Sequence, residues 1–361
     1  MSSPESSPEG NAVLTGDHDP VAFFETAYRA FQEAGGTSGC VERSFAIGSH
    51  TICLRFAGSS MVPVITQALA HRAIASAPRP SLTVCIWDDA STNTKMPPPP
   101  WLEYWAYTRR GDVRGYNNDR ISTAYNYSAD VLNVFDRHRN VALYWTRDRR
   151  RLPSYETSAP LRTILHWLVA RSGEQFMHGG AVGMRDGGVL LAGKGGSGKS
   201  TTVLTCLRSD LLYLADDYCL VSTDPVPYAH SLYSSAKLDP DNLHRVPHLM
   251  QALSNGDRLQ NEKAVFFLFE HWPEKIISGF PLRAVLLPRI AGGTTTRLCP
   301  ATPMDGLKAL ALSTMSQLAG AGLPSLQTMQ TLVNRIPCLH LELGTDLAQI
   351  PGVISGFLRA A

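Results

Sequence analysis

The chain lacks any C-x-x-C pair. Its seven cysteines, Cys40, Cys53, Cys85, Cys206, Cys219, Cys299 and Cys338, are odd in number, scattered, and mostly set among apolar neighbours. They read as reduced core thiols of a cytoplasmic protein rather than as a disulfide framework. No apolar run approaches the roughly 20 residues that a membrane helix needs. The start of the chain is rich in Ser, Pro, Glu and Gly and has no apolar stretch of the kind a signal peptide carries. A surplus of one charge is missing too. There are 33 Lys and Arg against 31 Asp and Glu, a net charge of +2, which gives no case for nucleic acid or a membrane as partner. Internal repeats are absent. What is present is 361 residues, 44% apolar and 18% charged, enough for two domains or one large one with a real core.

Patterning divides the chain into three stretches. Residues 1–18 read as disordered. Residues 19–155 read as a small α+β domain. It holds an amphipathic helix over 20–33, a hairpin over 43–47 and 51–56, and a helix over 61–74. Strands follow over 81–87, 121–126, 130–136 and 140–145. The proline tract at 95–100 cannot be helical and reads as a surface loop. Trp101, Tyr104, Trp105 and Tyr107 read as core packing. Residues 156–361 form an α/β domain, opened by Ser158 and Pro160 as N-cap and first residue of a helix over 161–170. Short strands are expected at 176–177, 181–184, 189–192, 211–215, 264–269, 282–287 and 339–343. Helices are expected over 303–312, 325–334 and 346–358.

The most informative run is Gly193-Lys194-Gly195-Gly196-Ser197-Gly198-Lys199-Ser200, set between apolar residues 189–192 and the helical stretch that starts at Thr201. Strand, glycine turn and helix are the context that a phosphate-binding P-loop (Walker A) requires. The glycines let successive N–H groups turn inward toward phosphate oxygens, and the new helix adds its positive N-terminal end. Lys199 can reach the β- and γ-phosphates and Ser200 can ligate Mg²⁺. ATP with Mg²⁺ is the expected ligand pair.

One helix later comes Ala215-Asp216-Asp217 at the end of a strand. Two carboxylates there can divide the work, one toward the metal and the other as acceptor of a hydroxyl proton. Upstream, Met177-His178-Gly179-Gly180 leads into the strand before the loop, which brings His178 toward the γ-phosphate position. Together these three segments resemble the C-terminal kinase domain of HPr kinase/phosphorylase, over about residues 161–222. The resemblance implies an ATP-binding core akin to phosphoenolpyruvate carboxykinase. It also implies that His178, Lys199, Ser200, Asp216 and Asp217 are the active-site His, phosphate Lys, metal ligand, proton acceptor and neighbouring metal ligand or orienter. The family's later glutamate-bearing signature, with its adjacent Arg-Gly, is not found, and the N-terminal half does not look like that enzyme's regulatory domain. The long form, with Tyr233-Ser-Ser-Ala-Lys-Leu238 and Pro281-Leu-Arg-Ala-Val-Leu-Leu-Pro-Arg289, is more similar to the HPr-kinase-like proteins of bacterial peptide gene clusters. There, lasso-peptide kinases phosphorylate the C-terminal residue of a precursor.

The resemblance thus implies a serine kinase of a peptide or small-protein acceptor, a lasso-type precursor foremost, and homo-oligomers. The alternatives are HPr itself or a free hydroxy compound such as serine as acceptor, and a nucleotide-dependent switch or ATPase. Beyond the resemblance, Arg283, Arg289 and Lys237 are candidate phosphate or acceptor contacts. The cluster at Arg147 and Arg149–Arg151 reads as a solvated loop, with docking of an acidic peptide as the alternative.

Overall fold

A computed structural model describes residues 19–101, 108, 110–170 and 172–360. The expected disorder at 1–18, and Tyr104, Trp105 and Tyr107, lie outside the described residues. The chain is mixed α/β, with two large mixed sheets. Among the described residues, no helix is long and apolar enough to cross a membrane.

Helix α1 (Pro20–Ser38) starts where the Asp19 side chain accepts from the N–H groups of Val21 and Ala22, and it ends at Gly39 (φ 77°). Its apolar face buries Phe23, Phe24, Ala27 and Phe31. The first sheet follows: β1 (Cys40–Ile47), β2 (His50–Ala57), then short α2 (Val62–Thr66), β3 (Ala73–Ile74), β4 (Leu82–Asp88), short α3 (Asp89–Thr92), β5 (Ile121–Asn126), β6 (Val131–Asp136) and β7 (Val141–Thr146). Its order is β3-β1-β2-β4-β7-β6-β5, with β2, β4 and β7 parallel at the centre. Helix α1 covers one face, where Trp101 packs edge-on against Phe23 at 5.0 Å. The stretch 61–74, expected as one helix, is instead α2, a 3₁₀ turn over Gln67–Arg72, and β3.

After short α4 (Ser154–Thr157) comes α5 (Arg162–Val169). Ser158 does not cap α5. The chain enters it through Leu161 in the left-handed region (φ 59°), with no side-chain cap, and the Ser158 carbonyl accepts from the Ser235 hydroxyl instead. Helix α5 joins the two sheets. One apolar cluster contains Leu54, Ile86 and Tyr144 from the first sheet, Ile164 and Leu165 from α5, and Phe176, Leu220 and Tyr233 from the second half.

The second half runs β8 (Glu174–His178), β9 (Gly180–Met184), β10 (Gly187–Leu191), α6 (Lys199–Cys206), β11 (Leu212–Ala215), β12 (Tyr218–Ser222), β13 (Tyr228–Ser231), β14 (Ser235–Leu238), β15 (Ala264–Phe267), β16 (Gly279–Ile290), β17 (Arg297–Ala301), α7 (Pro303–Met315), α8 (Leu323–Arg335), β18 (Cys338–Leu343) and α9 (Gln349–Ala360). Strands β10, β16 and β18 are parallel neighbours. Antiparallel β9 lies between β10 and β11, so β11 runs parallel to β10. The carboxyl ends of β10, β11, β16 and β18 therefore open on one edge, the position where α/β sheets collect ligands. The chain crosses from β8 in one wing to β9 in the other at Gly179 and Gly180. A Cβ on Gly179 would lie 2.7 Å from the Leu191 carbonyl oxygen, and one on Gly180 2.6 Å from Val203 Cγ2. Only glycine fits this crossing.

Candidate active site

The loop after β10 takes the conformation that its glycines allow. Gly196 (φ 77°) and Gly198 (φ 101°) are left-handed, and Gly198 is the N-cap residue of α6. Its missing side chain also matters for packing, because a Cβ there would lie 2.4 Å from Leu343 Cδ1 at the end of β18. Lys199 is 8% exposed, and its Nζ donates to the carbonyls of Gly193 (2.6 Å) and Lys194 (3.2 Å), within the loop itself. Burial pushes its pKa below the usual lysine value, opposed by the charges of Asp216 and Asp217.

The two adjacent carboxylates sit in opposite electrostatic states. Asp216 is 3% exposed, and its Oδ2 accepts the Lys237 backbone N–H at 2.8 Å. Its Oδ1 is buried and makes no hydrogen bond of ordinary geometry. Burial, with the Asp217 charge beside it, pushes Asp216 up to about 6, while the Lys237 N–H and the Ser200 hydroxyl pull the other way. For Asp217, burial also acts upward, but it is outweighed. Lys237 Nζ lies 2.5 Å from Oδ2 and His178 Nε2 lies 3.0 Å from Oδ1, which holds Asp217 well below the carboxylate range. A pair in one site with separated proton affinities is the arrangement that lets one member move a proton while the other stays charged.

His178 is fixed from three sides. Its backbone N–H donates to Thr314 Oγ1 at 3.0 Å, its ring bonds Asp217, and the ring meets Tyr218 edge-on at 5.3 Å. Tyr218 in turn donates its hydroxyl to Gln317 Oε1 on the segment after α7.

These groups surround a cavity of about 520 Å³ lined by residues 195–201, His178, Asp216, Asp217 and Lys237. Of the three cations singled out beyond the resemblance, Lys237 is brought into the site. Arg283 is not. It lies toward the start of β16 and donates to the Asp186 carbonyl (2.9 Å) in the β9–β10 turn, at the far end of β10 from the loop. Arg289 lies at the correct end of β16 but pairs with Glu342 at 2.5 Å, a carboxylate that Arg297 also holds at 2.6 Å. Arg147 pairs with Asp130, and Arg150 with Asp148, and the cluster stands away from the cavity lining. Asn242, His244, Arg245 and Lys263 also line the cavity and were not anticipated. They come from turns after β14 and before β15, where sequence offers no pattern that marks a binding residue.

The donor set fits a nucleotide with a divalent cation. Both Asp217 oxygens face cationic or ring-nitrogen partners, Lys237 Nζ and His178 Nε2. Asp216 Oδ1 makes no hydrogen bond of ordinary geometry and lies beside the Ser200 hydroxyl. Among the described residues, no group of three or more His, Cys, Asp or Glu converges as a metal site. Phosphate and water oxygens would therefore complete such a shell, the usual condition for Mg²⁺.

No family model matches the chain, and no curated protein is similar to it. Among solved structures, the HPr(Ser) kinase/phosphatase from Coxiella burnetii aligns with 52% of this chain and 89% of its own, at 10% identity and a TM-score of 0.30. A likeness that low decides neither fold nor activity, and the chemistry of the cavity is read from its own residues.

Proposed function

We propose that the protein is an ATP-dependent kinase that transfers the γ-phosphoryl group to a Ser or Thr hydroxyl of a peptide or small protein. The sequence resemblance makes the acceptor a lasso-type precursor, at its C-terminal residue. The observation that carries the kinase reading is the convergence, in one cavity, of a glycine loop with its lysine and two carboxylates of opposite protonation tendency. A phosphate loop alone would serve a switch equally well. A buried carboxylate poised near neutrality, with an oxygen to spare, supplies what transfer to a hydroxyl additionally needs.

In this reading, the amides of residues 195–201 and the Lys199 ammonium hold the β- and γ-phosphates, so Lys199 exchanges its loop carbonyls for phosphate oxygens. Ser200 would face the Mg²⁺, which would supply charge neutralisation, and Asp216 stands beside it as the proton acceptor. Asp216 takes the acceptor's hydroxyl proton as the hydroxyl oxygen bonds to the γ-phosphorus. The bond from that phosphorus to the β–γ bridging oxygen breaks, and the electron pair leaves with ADP. Asp217 stays ionised and keeps Lys237 and His178 aimed at the transfer region. The test is nucleotide affinity beside phosphate incorporation into serine peptides, counted by intact mass, for Lys199→Ala in the full chain. The variant is expected to lose transfer and to bind ATP more weakly. Wild-type turnover in a folded Lys199→Ala protein would put the nucleotide elsewhere.

A further inference from the structure

A second cavity, of about 660 Å³, lies between the two halves of the molecule and shares Lys237 as a wall with the first. Tyr218, which follows Asp217 and packs on His178, also lines it. We infer that this cavity receives the acceptor, and that it selects one carrying an anionic group next to its hydroxyl. The inference rests on the kinase reading and gives that site its second substrate.

Geometry favours this cavity over other surfaces. Phosphoryl transfer brings the acceptor in roughly opposite the leaving group. The loop residues 195–201 line the first cavity alone, Tyr218 lines the second alone, and Lys237 borders both. Lys237 donates its backbone N–H to Asp216 and its ammonium to Asp217, so a group entering past Lys237 meets both carboxylates.

Charge gives the selectivity. The described lining has three cations, Arg110, Arg162 and Lys237, and no carboxylate. Two are already matched: Arg162 by Glu156 at 2.8 Å and Lys237 by Asp217. Arg110 is the most loosely paired of the three. Its Nη1 donates to the carbonyls of Met315 (3.2 Å) and Ala321 (2.8 Å), and Asp112 Oδ2 is 4.0 Å from its Nε. An anion on the acceptor would complete this cation. Tyr127, 71% exposed, lines the same cavity and offers an aromatic face to the chain that carries the anion.

The test uses the full chain with Mg·ATP and four acceptor probes: serine peptides flanked by Asp, by Lys, or by Ala, and free L-serine, with phosphate counted by intact mass. The Asp-flanked peptide is expected to react about tenfold faster than the Lys-flanked one, the worth of one charge-assisted contact. Arg110→Met should bring that ratio close to one, since the lost contact is the one charge-assisted bond. Tyr127→Glu should lower the same ratio by like-charge repulsion. Free serine reacting as fast as the best peptide would assign the cavity to a small hydroxy acid, and the Arg110→Met loss would persist. Transfer with no preference between flanking charges, or a preference unchanged in both variants, overturns the inference alone. Absence of transfer to every probe, with ATP still bound, overturns it together with the kinase reading.

Discussion

Replacing Asp216 with Asn is expected to make the protein more stable and less active at once. The Asp216 carboxyl is buried and raised from 3.8 to about 6, so ionising it costs more in the folded chain than in the unfolded one. Its contribution to stability is fully present below the unfolded value and is lost as pH rises through about 6. A rise of about two units corresponds to at most about 3 kcal/mol at neutral pH, at about 1.4 kcal/mol per unit. Asn carries no charge at any pH, and its amide oxygen can still accept the Lys237 N–H that Oδ2 accepts at 2.8 Å. Urea unfolding at about pH 4, 5.5, 7 and 8 should show the gain of the variant starting near zero and levelling off above about pH 7. Transfer should fall by ~10²–10⁴, because the amide cannot take the hydroxyl proton. A gap that does not grow between about pH 4 and 7, or a variant less stable than the wild type at about pH 8, refutes the claim that this carboxylate is held charged against its surroundings.

Wild-type transfer should rise with pH through about 6, as Asp216 ionises, and stay level above; a rate flat from pH 5 to 8 would remove Asp216 as the base. Lys237→Met strips Asp217 of its closest cation. It should cost roughly 1.5–3 kcal/mol in urea unfolding, the worth of a hydrogen bond to a charged group, and lower turnover by freeing His178 and Asp217 from their set positions. Phe176→Ala, at the joint between the sheets, should cost about 3–5 kcal/mol and keep a single unfolding transition, because one apolar cluster spans both halves. Two separate transitions would show that the halves are energetically independent.

What the sequence revealed was local chemistry. The glycine loop, Asp216, Asp217 and His178 lie within forty residues, and each is announced by its immediate neighbours: glycines that permit left-handed backbone, or carboxylates at a strand end. Most strands and the last three helices follow from their apolar spacing. The failures have physical causes. Strands β12 to β14 are four or five residues long and are separated by Pro and Ser turns, so their pattern is that of a loop; their pairing with β8, β15 and β16 supplies the stability. Arg283 and Arg289 look equivalent as the flanks of one apolar run. Only the parallel pairing of β16 with β10 puts the first at the wrong end of the sheet and the second at the right one. Arg110 and Lys237 are 127 residues apart and meet one cavity only because α5 folds the first sheet onto the second.

Phosphorus NMR of the full chain with Mg·ATP and the serine peptides tests phosphoryl transfer most directly. A phosphomonoester signal should grow on the peptide in step with ADP and disappear in Asp216→Asn. ADP accompanied only by inorganic phosphate would contradict it, and would make the protein a nucleotide hydrolase built on the same loop.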